Sequence, residues 1–116
     1  MSWDIYIKQF RNYLKLERSL ADNTIEAYER DITKLSEFFE IKNLKLSPLK
    51  VEYENLLDFI EFINELGMSP YSQARILSGI KSFYKFLLYE QYLDKDPSEL
   101  LESPKIGRKL PDTLDF

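Results

Sequence analysis

Two residue types are missing altogether: the 116-residue sequence has no cysteine and no histidine. Without cysteine there is no disulfide and no thiolate metal site, and without histidine a structural zinc site has no plausible ligand set. No metal and no other cofactor is therefore expected. The absence of cysteine also fits a cytoplasmic protein. Long apolar runs are lacking too, since none approaches the roughly 20 residues that a bilayer-spanning helix needs, so no membrane partner is expected. Met1 opens onto an amphipathic pattern and not onto a signal peptide. Glycine is scarce, at three residues, and none stands in a glycine-rich strand-to-helix element. That excludes a P-loop or dinucleotide fingerprint, and no small-molecule ligand is expected. The sequence shows no internal repeat and no alternating strand pattern.

What is abundant is apolar and aromatic surface. Hydrophobic residues make up 44% of the chain, with eight Phe, eight Tyr and one Trp, which is ample for one domain with a real core. Four helical segments can be read from the spacing of apolar residues. Trp3, Ile7, Phe10 and Leu14 predict a first helix over Trp3–Leu16. Ile25, Tyr28, Ile32, Leu35 and Phe39 predict a second, ending near Glu40. Asp22 or Asn23 is its expected cap, with Asn23 and Glu26 a loose capping box. Residues 41–50 read as a connection with room for a short turn. Leu56, Ile60 and Ile63, widened by Leu57 and Phe59, predict a third helix over Tyr53–Leu66, with Gly67 as its C-cap. Ser69 and Pro70 are a cap and first-turn proline for a fourth, running to about Glu90. The expected fold is all-α, a compact bundle of four principal helices.

The charge is unevenly placed. The chain carries a net charge of −4, and residues 51–66 hold five acids (Glu52, Glu54, Asp58, Glu61, Glu65) and no base. Residues 69–88 hold three cations and no anion. In that fourth helix Ile76, Ile80, Phe83, Tyr84 and Leu87 form the apolar stripe. The other side is expected to carry Ser72, Arg75, Ser78, Gly79 and Ser82, edged by Lys81 and Lys85. A face of small residues and cations can press close to a polyanion, and double-stranded DNA is the first candidate partner. On the second helix Asn23, Ala27, Arg30 and Lys34 share one side. Thr24 stands at the helix start, where free backbone N–H groups can hold a phosphate.

Each of these residues also has a structural use. Thr24 could only stabilise the first turn, and Arg30, Lys34 and Arg75 could pair with nearby acids. Gly79, expected mid-helix on the exposed side, costs about 0.5–1 kcal/mol relative to alanine. Close approach to a partner and close packing within the domain would each account for that cost. Phe83, Tyr84 and Tyr28 read as packing residues. Glu26 with Arg30, and Glu61 with Glu65, have ordinary surface spacing. Nothing marks an acid–base pair, and no tyrosine stands beside a basic constellation, so no catalytic residue is expected in this chain.

After Asp94 the pattern breaks. Pro97–Leu101 could form one turn, and Ser103–Asp112 reads as a tether with the basic run Lys105, Arg108 and Lys109. The apolar Phe116 ends the sequence as though another domain began there. The expected division is a helical domain over residues 1–103 and a linker with the start of a further domain over 104–116.

Two stretches carry a resemblance: FRNYLKLERSLADNTIEAYERDITKLSEFF (residues 10–39) and SPYSQARILSGIKSFYKFLLYEQYLDKDPSELLESPKIGRKLP (residues 69–111). Asn23-Thr24 followed by Tyr28 and Asp31, Ala74-Arg75 through Ser78 to Phe83-Tyr84, then Asp96-Pro97, Pro104-Lys105 and Leu110-Pro111 form an ordered series. In it the chain resembles the N-terminal core-binding, or SAM-like, domain of tyrosine recombinases of the Xer and phage-integrase type. It departs at Asp96, where asparagine is frequent, and at Ala21, where a Ser-type cap is often seen. The resemblance implies a four-helix unit on one side of DNA, with a catalytic domain closing a clamp from the other. It implies Thr24, Arg30, Lys34, Arg75, Ser78 and Lys81 as DNA contacts, and neighbouring recombinase subunits on DNA as partners. The family's tyrosine, arginine, lysine and histidine machinery lies in its second domain, and no residue here matches it. A helical protein-interaction domain, or an accessory DNA-binding domain without recombinase activity, is the alternative.

Overall fold

Each amphipathic stripe buries itself against the others, and the helices arise where the stripes are. The computed structural model describes residues 3–102. In it α1 spans Trp3–Leu16, α2 Asp22–Ile41, α3 Tyr53–Glu65 and α4 Pro70–Tyr89, with a short 3-10 turn at Pro48–Lys50. No strand forms among the described residues, and no described helix is long and apolar enough to cross a membrane. The all-α bundle of four principal helices is as the periodicity predicts.

The core centres on α4. Ile80, Phe83, Tyr84 and Leu87 are fully buried, together with Ile32 and Leu35 of α2 and Leu56 of α3. Trp3 lies nearly parallel to Phe83 at 6.0 Å between ring centroids. Phe10 meets Phe83 edge-on at 5.3 Å. Burial of each such ring contributes about 1.5–3 kcal/mol, so aromatic packing between α1 and α4 is a large share of the stability. The polar ends of buried rings find backbone partners. The Trp3 indole N–H donates to the Leu46 carbonyl at 2.7 Å, and the Tyr84 hydroxyl donates to the Pro48 carbonyl at 3.0 Å. These two bonds hold the connection between α2 and α3 onto the bundle. Burial also pushes the Tyr84 phenol far above its ordinary range, so Tyr84 is an un-ionised structural donor.

The helix ends follow local chemistry, with two departures from expectation. Ser69 caps α4 as expected, its Oγ accepting from the Ser72 N–H at 3.1 Å, and Gly67 ends α3 with φ +82°. For α2, however, the cap position is Ala21, in extended conformation and with no side-chain cap bond. The helix therefore starts one residue before the expected box, and Asn23 and Thr24 sit inside its first turn. The second departure is Leu57, which is 41% exposed and not part of the core stripe. Leu56, Phe59 and Ile63 already fill the buried face of α3, and the next position points outward. A reciprocal feature not foreseen is the Glu52 N–H donating to Asn55 Oδ1 at 2.8 Å at the start of α3. Buried Gln73 ties the α3–α4 turn down, its amide donating to the Met68 carbonyl at 2.8 Å.

After α4 the chain makes the short turn expected near Pro97. Asp96 Oδ1 accepts from both the N–H (2.8 Å) and the hydroxyl (2.6 Å) of Ser98. Leu101 is 3% exposed and joins the core. Tyr84→Phe should lower the unfolding free energy by about 1–2 kcal/mol in urea titrations, because the Pro48 carbonyl loses its buried donor. An unchanged midpoint would show that water replaces the hydroxyl there.

Candidate nucleic-acid interface

The seam between α2 and α4 carries several of the sequence-predicted residues, and its close approach depends on a glycine. A Cβ built on Gly79 would stand 3.2 Å from Tyr28 Cδ1 and 3.5 Å from Asp31 Cβ and Oδ2. Gly79 is thus buried against α2 and not on the exposed side where the spacing had put it. Of the two uses open to it, packing within the domain is the one its surroundings display.

Asp31 is the second unusual feature of the seam. Its side chain is 0% exposed and lies 3.4 Å from the Arg75 guanidinium, whose side chain is 44% exposed. Neither carboxylate oxygen has a hydrogen-bond partner, so the contact with Arg75 is an ion pair without an aligned N–H. Burial raises the Asp31 pKa above its ordinary 3.8, against the lowering pull of Arg75, Lys34 and Arg30. Arg75 of α4 is the cation in contact with this carboxylate, and Arg30 and Lys34 of α2 act on it through their charge.

These cations are not used up by other acids. The ion pairs among the described residues are Arg75 with Asp31 and an exposed Arg11–Glu29 contact at 3.9 Å. Among the described residues Arg30, Lys34, Lys81 and Lys85 have no carboxylate within ion-pair distance, so Glu26 and Glu37 do not neutralise the α2 stripe. Asn23, Thr24 and Arg30 are exposed, and Ala27 and Lys34 half-buried, along one flank of α2. On α4 Ser78 is exposed, and Ser72, Ser82 and Lys81 are half-buried. Small side chains thus leave the backbone of this face accessible. Thr24 makes no side-chain bond that would explain it as a cap.

Lys85 is set apart from this group. It lines a groove with Glu52, Glu54 and Asp94, an acidic setting unlike the seam. Lys105, Arg108 and Lys109 lie outside the described residues. The acids of α3 gather elsewhere: Asp58, Glu61 and Glu65 line a hollow beside Lys42, just past the C-terminal end of α2. Among the described residues no cluster of acids is arranged to hold a metal ion. Asp31 is the site residue that the charge pattern missed. Its signal was a carboxylate standing between Tyr28 and Ile32 in an otherwise apolar register.

A four-helix bundle with a cation-flanked, small-residue seam between its second and fourth helices is the setting in which the comparisons fall. The chain belongs to the phage integrase N-terminal SAM-like domain family, whose model matches residues 7–91. Among curated proteins it is similar to the tyrosine recombinase XerD of Staphylococcus saprophyticus, with 38% identity over 114 residues (97% of this chain and 38% of the relative). The XerD of Oceanobacillus iheyensis is 35% identical over 108 residues (93% and 36%). That of Listeria monocytogenes is 32% identical over 110 residues (95% and 37%). The chain spans little more than a third of the length of these relatives.

The raised pKa of Asp31 has a definite sign. The folded chain binds this proton more readily than the unfolded chain, so ionisation of Asp31 subtracts from stability as pH rises from 3.8 through the raised value. Asp31→Asn should match the parent chain in unfolding free energy in acid and become the more stable of the two as pH rises to neutrality. Parallel urea titrations across that range measure the difference; a constant offset at every pH would show that Asp31 does not titrate abnormally.

Proposed function

We propose that this chain is the DNA-binding module of a site-specific tyrosine recombinase. It holds one side of the duplex while a catalytic domain, outside this sequence, cleaves and rejoins strands from the other. The observation that carries this reading is the set of cations on the α2–α4 seam: among the described residues Arg30, Lys34 and Lys81 have no acid within ion-pair distance, and Arg75 meets only the buried Asp31. Arg30 and Lys34 from α2 and Arg75 and Lys81 from α4 are spaced to meet phosphates, with Thr24 at the helix start and Ser72, Ser78 and Ser82 offering hydroxyls. Arginine can bridge two phosphate oxygens or reach a base edge, which lysine cannot do with the same geometry. Membership of the integrase family supports the same reading, as does similarity to tyrosine recombinases.

Lys105, Arg108 and Lys109 add phosphate contacts in this scheme, from the segment that leads to the catalytic domain. Neighbouring subunits on DNA are the expected protein partners, and a cytoplasmic site of action follows from a chromosomal or element-borne target. The net charge of −4 makes the module a weak binder by itself, since only the local cations favour DNA.

Titration against a short random-sequence duplex at rising salt tests the proposal. Affinity should fall linearly on a log–log plot, with a slope of about −0.9 for each phosphate neutralised. The Arg30→Ala, Arg75→Ala, Lys81→Ala triple variant should bind at least about tenfold more weakly and with a shallower slope, by about one per lost contact. Equal binding by the two proteins would remove the seam as the interface. A stable protein complex that forms without DNA and never recruits it would favour the interaction-domain alternative.

A further inference from the structure

Asp31 makes little sense as a stabilising residue. It is fully buried, neither of its oxygens has a hydrogen-bond partner, and its nearest cation is half in solvent. A buried carboxylate in that state costs stability, because the loss of hydration exceeds what one misaligned ion pair returns. Its surroundings are nonetheless specific. Gly79 leaves the space beside which Oδ2 sits: a Cβ there would crowd Tyr28 at 3.2 Å and touch Asp31 at 3.5 Å, so any side chain larger than a methyl would press on Asp31 as well. Arg75 reaches Asp31 with one nitrogen at 3.4 Å, while the side chain remains 44% exposed. The guanidinium is therefore held from beneath and open above, on the face where Ser78 is exposed.

We propose that Asp31 is a positioning residue: it fixes the Arg75 guanidinium at the α2–α4 seam so that its free N–H groups meet a DNA backbone phosphate. This rests on the DNA-binding reading above. An arginine side chain loses considerable rotamer freedom when it is ordered on a ligand, and a buried carboxylate that holds it in advance removes part of that cost. A guanidinium has five donors in a planar fork, so one edge can face Asp31 while another faces phosphate. Gly79 takes part as the spacer that admits Asp31 to the seam. It touches no DNA in this scheme.

The proposal opposes simple electrostatics, which makes it testable. Asp31→Asn removes a negative charge beneath the binding face. If Asp31 only neutralised or sequestered Arg75, this change would strengthen DNA binding. Positioning requires the reverse: binding of a short random-sequence duplex should weaken about three- to tenfold, part of what one charge-assisted hydrogen bond contributes. Thermal unfolding of the same variant at neutral pH should show no loss of stability, so the weakening is not unfolding. In an Arg75→Ala background the Asp31→Asn change should weaken binding no further, because its effect passes through Arg75.

Binding by Asp31→Asn that equals or exceeds that of the parent overturns the positioning role and leaves the DNA-binding reading standing. The same result follows if Asp31→Asn still weakens binding when Arg75 is already alanine. No salt-dependent duplex binding by the parent chain overturns the DNA-binding reading and the positioning role together. If Asp31→Asn does not fold, Arg75→Lys decides. It keeps the charge and loses the fork, so positioning predicts a similar three- to tenfold loss, whereas unchanged binding would refute it.

Discussion

The close contact of α2 with α4 at Gly79 is the constraint on which the candidate site depends. With a methyl group at 79 the Tyr28 ring would have to yield by a few tenths of an ångström, and anything larger would push Asp31 as well. Helix packing distances are set by the side chains at the crossing, and hydrogen is the smallest available. This one position therefore sets how near Arg30 and Lys34 of one helix stand to Arg75 of the other. The aromatic layer beside the seam, with Trp3 and Phe10 against Phe83 one turn along from Gly79, packs α1 onto the same side of α4 and leaves the seam little freedom to open.

Stability and binding pull in different directions at that seam. The remainder of the core follows ordinary rules: apolar residues are packed, and the buried polar ends of Trp3, Tyr84 and Gln73 are hydrogen-bonded. Asp31 alone among the described buried side chains is left with unpartnered oxygens. A local departure from otherwise consistent construction is where function is to be sought. Here the departure coincides with the unneutralised cations and with the family's matched region.

Much of the fold was legible in the sequence because the stripes are long and the helix ends carry strong local signals. Ser69-Pro70 and Gly67 marked the α3–α4 turn correctly. The start of α2 was misplaced by one or two residues because Ala21 takes the cap position without a side-chain acceptor, which no residue pattern announces. The site was half legible. Arg30, Lys34 and Arg75 could be picked out as cations on polar flanks. That Arg75 meets a buried carboxylate of α2 depends on which helices pack together, and periodicity along one helix holds no such information. Gly79 shows the same limit, since its backbone position could be read but not its neighbour. Lys85 looked equivalent to Lys81 along α4, and only the packing of Glu52, Glu54 and Asp94 around it separates the two.

The placement of the acids on α3 has a consequence for how the domain meets a polyanion. Asp58, Glu61 and Glu65 lie near Lys42, at one end of α2, whereas Lys34 and Arg30 lie about two and three turns back along the helix. Twelve residues of helix separate Arg30 from Lys42, about 18 Å at 1.5 Å per residue. That exceeds the screening length of about 8 Å at physiological ionic strength. At such salt the two poles act independently, and the sum of −4 describes neither. On the DNA-binding reading, a duplex is drawn to the seam cations and turned away by the α3 acids. Orientation is then selected during approach, before any side chain touches a phosphate.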